Sequence, residues 1–310
     1  MQQTNTPPIY IIGDSPLAYF LTAKLFLAEE HVILLGERNP LKNSNSFLFK
    51  DNISSQKNTI TVPKTPLMHQ TPRIILLCMS TNKIKSGLVY ISSEKAKQCP
   101  VISFCHTANT QLIYETVKHH IIPAYFDGWL LSPSSEQITF LGENQGIKVS
   151  TNEKDIHFDL IQNILSKTDI ALTFDNNDEQ NFWDYFIPYS ACRLFSLCHA
   201  SHLHEIAKKV SLRQDFSTII NEITALAPKT VKINKEQIIN NIYLTPKNYE
   251  PTKNNEQDNS FWAELSFISE TLFNTPRYNA NTAPFITQII TKKNRQFLSS
   301  VENKEFTLNK

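Results

Sequence analysis

Gly13, Ser15 and Ala18 stand at the spacing of the three small residues in a dinucleotide-binding turn, directly after the apolar run Ile9–Ile12. In such a turn the first residue permits a tight reversal. The second lets the backbone approach a pyrophosphate, and the third lets the helix pack closely on the strand. Here the first place is glycine and the third is alanine, which the turn tolerates. Ser15 occupies the second place, and Ser15 followed by Pro16 is also a helix N-cap with a first-turn proline. Two readings are open: a phosphate cradle, and a helix that caps itself. A second chemistry-bearing run is CHASHLHE, Cys198 to Glu205, where His199, His202 and His204 stand at spacings that zinc sites use. No second ligand cluster accompanies them, and the expectation is no metal.

The elements around the turn read strand, helix, strand. Leu17, Leu21, Lys24 and Leu25 recur at helical spacing, and Val32–Leu35 is a second apolar run. A polar connection, 39–55, and a short strand, Thr59–Val62, come next. Arg73–Ser80 and Val101–His106 are buried-strand candidates with a helical segment, Ser86–Lys97, between them. AYFDGWLLS and ITFLGE read as strands around a turn. DIHFDLIQNILSK is an amphipathic helix with Ile156, Leu160, Ile164 and Leu165 on one face, and Ile170–Phe174 is a closing strand. After the polar run Asp175–Gln180 the pattern turns helical: Asn181–His204, then Glu205–Leu226 stopped by Pro228, then Phe261–Phe273 and Phe285–Lys293. Thr245–Ser260 is polar, proline-punctuated and expected to be disordered. The expected architecture is an α/β domain over 1–175, Rossmann-like with a mostly parallel sheet, and an all-α domain over 176–310.

The whole chain bounds the function. Its 310 residues, 41% hydrophobic and 19% charged, support a real core and two domains. A net charge of +1 gives no electrostatic case for nucleic acid or an anionic membrane. No apolar run reaches transmembrane length, and the polar start MQQTNTPP is unlike a signal peptide. Five cysteines without a C-x-x-C pair suit a reducing compartment, so the expected location is the cytoplasm.

The order of elements resembles the ketopantoate reductase family (2-dehydropantoate 2-reductases) over almost the whole chain. The landmarks are VILLGER, VISFCHTANTQL, ITFLGE, DIALTFDNNDEQNFWDYFIPYSA with Trp183, and AELSFISETL followed by Ala283–Pro284. The resemblance implies a Rossmann domain for NADPH, a helical substrate and dimerisation domain, a cleft between them, and a monomer or homodimer. It implies hydride transfer to the C2 ketone of a small 2-oxo acid, which needs a cation or an acid near the ketone oxygen.

Carried over position by position, the family's catalytic lysine falls on Tyr185 and its helix asparagine on Tyr189. His106–Thr107 stands for the family's Asn-Gly, and Ser80 for a cofactor-binding lysine. The family glutamate falls on Glu264, or on Glu270 with another gap placement. Arg38, with Lys42 nearby, is the reader of the 2′-phosphate, although Glu37 beside it suits an unphosphorylated ribose. The implied catalytic set is Tyr185, His106 and Glu264; the implied cofactor set is Gly13, Ser15, Ala18, Arg38, Ser80 and Thr107. Tyr185 reads as a general acid, with an unperturbed pKa near ~10, or as a packed aromatic. His106 reads as a group that orients or protonates a substrate, or as a strand-end histidine satisfied by backbone. Two functions follow: an NADP-dependent oxidoreductase, and a non-catalytic descendant that binds a nucleotide or a protein partner.

Overall fold

The computed structural model describes residues 6–13, 15–35, 44–52, 54–65, 68–79, 84–105, 121–128, 130–134, 137–141, 146–199, 203–243 and 259–293. The chain divides into two compact units, Met1–Phe182 with Asn254–Glu264, and Trp183–Lys253 with Leu265–Lys310.

In the first unit a seven-stranded sheet is built from β1 (Ile9–Ile12), β2 (Val32–Leu35), β5 (Ile74–Leu77), β6 (Val101–Ser103), β7 (Ile121–Asp127), β10 (Gly146–Val149) and β11 (Ala171–Phe174). Their order is β11-β10-β7-β6-β5-β1-β2, parallel except where β10 meets β7. The short apolar strands are buried on both faces. Ile9 and Ile11 enter the core on one side, and Tyr10 and Ile12 enter a separate core on the other. β1 and β5 are neighbours, and the chain leaves β1 for β2 on one side and β5 for β6 on the other. The carboxyl end of β1 at such a reversal is where open α/β sheets take their ligands.

The sequence pattern marks three strands of the second sheet, at Thr59–Val62, AYFDGWLLS and ITFLGE, but not the fourth, which joins them. Residues 39–55 read as a polar connection, but β3 (Ser44–Asp51) pairs antiparallel with β4 (Gln56–Pro63) and parallel with β9 (Gln137–Phe140). β9 in turn pairs with β8 (Leu130–Ser134). Among the described side chains of β3, Phe47, Phe49 and Asp51 turn inward, and Ser46, Lys50 and the charged Asp51 make the run look like loop. This sheet explains helix α1 (Pro16–Leu27). It packs against strands of both sheets, and so is apolar nearly all round. Its one inward charge, Lys24, meets the buried Asp51 carboxylate at 2.7 Å.

Helix α2 (Ile84–Ile91) ends earlier than its sequence suggests and is followed by a 3-10 turn at Ala96–Gln98. Helix α3 (Phe158–Ser166) buries Ile161, Ile164 and Leu165, but Ile156 precedes its first turn and is 90% exposed. β10 was not anticipated, because Ile147 and Val149 are its only buried apolar positions.

Beyond residue 175 every described element is helical, as expected. Helix α4 (Asp178–Cys198) carries Pro188 inside it and stops before Leu203–Glu205, a 3-10 turn. Helix α5 (Val210–Leu226) starts later than the sequence pattern suggests; α6 (Lys235–Tyr243) is an addition, and α7 (Asn259–Phe273) follows. Residues 284–293 are helical too, while the expected disordered run falls mostly outside the described residues.

In the second unit, Glu222 on α5 is buried and accepts from the backbone N–H groups of Phe285 and Ile286 at 3.0 and 2.8 Å. A carboxylate from a distant helix thus caps the 284–293 helix, whose Pro284 brings no N–H of its own. Glu222→Ala is expected to cost about 2 kcal/mol in denaturant unfolding, the worth of a charged cap.

Candidate functional site

The first crossing is built around one glycine. Gly13 has φ +150, and a Cβ there would lie 2.2 Å from the Cys78 carbonyl oxygen. The strand end is held on both sides, with Gly13 N–H donating to the Leu35 carbonyl at 2.9 Å and Cys78 N–H to the Ile12 carbonyl at 2.7 Å. Only glycine combines this φ with this approach.

Ser15 is the N-cap of α1. Its hydroxyl accepts from Ala18 N–H at 3.2 Å and donates to the Cys78 carbonyl at 2.7 Å. Pro16 at the first position brings no N–H. The self-capping expected of Ser15–Pro16 is present, and the bond to Cys78, 63 residues away, adds a tie that local sequence does not reveal. Ala18 is fully buried on α1. The glycine turn and the small residue at 18 fit a dinucleotide laid over the helix start. The capped first turn offers it fewer donors than a three-glycine loop.

The other strand ends bring buried thiols. Cys105 Sγ faces the Leu77 and Met79 carbonyls at 3.3 and 3.4 Å, and Met79 N–H points at it from 3.0 Å. Burial pushes the Cys105 thiol up to about 12 and raises Cys78 as well, the Cys105 neighbour adding to the second. Neither thiol is a nucleophile at neutral pH. Asp14, Arg38, Ser80, His106 and Thr107 lie outside the described residues. Glu264 lies within α7, with its side chain outside the description. Glu270 is exposed on that helix.

On α4, Trp183 is 4% exposed and meets Phe186 edge-on, ring centres 5.6 Å apart. Tyr185 and Tyr189, one turn apart, are half-buried and stacked, with centres at 5.4 Å and planes 17° apart. Tyr189 also meets Phe267 at 6.2 Å, and the Arg193 guanidinium lies 6.0 Å from its ring centre. The helix therefore offers two adjacent phenols where the resemblance places a lysine and an asparagine. His199 lies 3.1 Å from Asp215. Among the described residues no three or more His, Cys, Asp or Glu side chains form a metal-binding group, and no helix is long and apolar enough to cross a membrane.

Sequence reasoning passed over a second polar cluster. Asp178, in the first turn of α4, accepts from the Tyr125 and Ser150 hydroxyls, both at 2.7 Å. Asn181 joins it by donating to Ser150 at 3.3 Å. The first-turn acid was the available signal.

No family model matches the sequence, and no curated protein does. Solved structures do match in fold. A structure of D-mandelate dehydrogenase with NADH and anilino(oxo)acetate superposes with a TM-score of 0.74 at 13% identity, covering 94% of this chain and 99% of the other. The 2-dehydropantoate 2-reductase of Geobacter metallireducens gives 0.70 at 13% identity, covering 92% and 98%. The dimeric ketopantoate reductase of Staphylococcus aureus gives 0.69 at 12% identity, covering 94% and 99%. The chain has the ketopantoate reductase fold over more than nine-tenths of its length.

Proposed function

We propose that the protein is an oxidoreductase of the ketopantoate reductase type, using NADPH to reduce a small 2-oxo acid or related ketone. The observation that carries this is the Gly13 turn at the reversal of a mostly parallel sheet, in a chain with that fold from end to end. Residues 1–175 serve the cofactor, and residues 176–310 serve the substrate and dimerisation. The cofactor supplies a hydride when bound. Gly13, Ser15 and Ala18 would hold its pyrophosphate, Arg38 its 2′-phosphate, and Ser80 and Thr107 would complete the cofactor site. The Tyr185 phenol donates a proton toward the ketone oxygen, His106 orients the substrate, and Glu264 holds a substrate hydroxyl. The protein works as a monomer or homodimer in the cytoplasm, without a metal.

A titration of NADPH and NADH, read by nucleotide fluorescence, tests the cofactor part. Arg38→Ala is expected to weaken NADPH roughly 10- to 100-fold and NADH much less, because only NADPH carries the 2′-phosphate. Equal losses, or none, remove Arg38 from the site.

A second reading, a descendant of the same fold that no longer turns over, is favoured by one observation. The Ser15 hydroxyl is spent on Cys78 and Ala18 inside the protein. Ser15→Gly separates the two. It loosens the cap by a few tenths of a kcal/mol. For the enzyme reading it leaves NADPH turnover intact with equal or tighter binding. For the second reading no turnover appears in either form.

A further inference from the structure

We propose that Tyr189 is a positioning residue, whose ring fixes where the Tyr185 phenol delivers its proton; this rests on the reading above of Tyr185 as the general acid. Tyr185, Tyr189 and Arg193 stand four residues apart on α4 and so share one stripe of the helix. A long side chain on a helix leans toward the N-terminus and covers the turn before its own. The contacts follow that direction. The Tyr189 ring lies against the Tyr185 ring, with centres 5.4 Å apart and planes 17° apart. The Arg193 guanidinium in turn lies 6.0 Å from the Tyr189 ring centre. Tyr189 also has an anchor outside its own helix. Its ring meets Phe267 of α7 at 6.2 Å, with planes at 48°. Phe267 is 3% exposed and stands edge-on to the fully buried Phe186, with centres 5.5 Å apart. A line of rings thus runs from the helical core through Phe267 and Tyr189 to Tyr185, and all its members lie in one compact unit.

A phenol acting on a ketone oxygen needs such a seat more than an ammonium does. An ammonium is a compact charge with three rotating donors, and its attraction for a developing alkoxide falls only slowly with distance. A phenol has one O–H, at the tip of a rigid ring. Its hydrogen bond weakens steeply with misalignment, and a displacement of about 1 Å can cost roughly 100-fold in rate. Tyr185 is half-buried. A ring on a partly open helix face has more than one staggered rotamer within reach, unless a neighbour excludes the others. Tyr189, seated against Phe267, is that neighbour. What it contributes is the flat face of its ring, so phenylalanine serves there as well as tyrosine, and an aliphatic side chain does not.

The test compares the full chain with Tyr189→Leu, Tyr189→Phe, Tyr185→Phe and the double variant Tyr185→Phe/Tyr189→Leu. Steady-state kinetics use NADPH with ketopantoate and with phenylglyoxylate, and NMR of the ring-labelled tyrosines is recorded without nucleotide. Tyr189→Leu is expected to lower kcat roughly 10- to 100-fold with KM within about threefold, and Tyr189→Phe to keep kcat within about threefold of the parent. In the Tyr185→Phe background the Leu change is expected to cost less than about twofold, because the hydroxyl it would misplace is already gone. The Tyr185 ring signal, identified by its loss in Tyr185→Phe, is expected to move in Tyr189→Leu and to stay near its parental position in Tyr189→Phe. Tyr189→Met replaces the Leu variant if that one does not fold. Parental kcat in the Leu variant, a loss that phenylalanine does not prevent, an equal loss with and without the Tyr185 hydroxyl, or an unmoved Tyr185 signal each overturns the inference and leaves Tyr185 as the acid. Parental kcat in Tyr185→Phe, or a parent without turnover, overturns the inference and the reading beneath it together.

Discussion

Gly13→Ala is expected to destabilise the protein by about 3–5 kcal/mol and to abolish dinucleotide binding in whatever folded fraction remains. Two costs add. An alanine at φ +150 is strained whatever the space around it, and its Cβ would press on the Cys78 carbonyl at 2.2 Å. Relief requires β1 and β5 to part at their carboxyl ends, which also breaks the 2.7 Å bond from Cys78 N–H to Ile12. The Ser15 cap depends on the same carbonyl, at 2.7 Å, so the start of α1 shifts with it. Urea unfolding gives the stability change, and NADPH fluorescence gives the binding. A Gly13→Ala variant with parental stability would mean that this turn is not held as described.

Tyr185→Phe is expected to lower turnover by roughly 10²- to 10⁴-fold at nearly unchanged stability, the usual worth of a general acid. The substitution removes only the hydroxyl and keeps the ring that stacks on Tyr189 at 5.4 Å. Steady-state kinetics with parallel melting curves separate the two effects. A drop in kcat with little change in KM marks a group acting in the transition state. Tyr185→Lys puts back the residue type that the ketopantoate reductases carry. If the parent is inactive and this variant reduces ketopantoate, the parent has lost its catalytic group but kept the pocket. Unchanged kcat in Tyr185→Phe makes Tyr185 a packing residue.

The parts of the fold that were legible are those where one physical signal dominates. Ile9–Ile12, Val32–Leu35 and Ile74–Leu77 are short apolar runs, and each is a strand buried on both faces. Ser15–Pro16 announced a cap because both halves of that signal are local, and the cap is present. β3 was illegible because it opens on Ser44, Asn45 and Ser46 and closes on Lys50 and Asp51, and Asp51 turns inward where Lys24 meets it. Ile156 was misplaced because periodicity cannot mark where a helix begins, and α3 starts two residues later. In the site, the Tyr185–Tyr189 stack follows from i, i+4 spacing. The Cys78 partner of Ser15 and the Glu222 cap on the 284–293 helix join residues more than 60 positions apart, so no local pattern shows them.

Consumption of NADPH by the purified parent protein, with a panel of branched and aryl 2-oxo acids, tests the proposed activity most directly. The expected result is loss of NADPH absorbance that depends on both protein and 2-oxo acid, with one 2-hydroxy acid formed per NADPH oxidised. NADPH that binds but is not consumed with any member of the panel contradicts the oxidoreductase proposal and favours the non-catalytic reading; NADPH that does not bind at all contradicts the oxidoreductase proposal and leaves the non-catalytic reading without NADPH as its ligand.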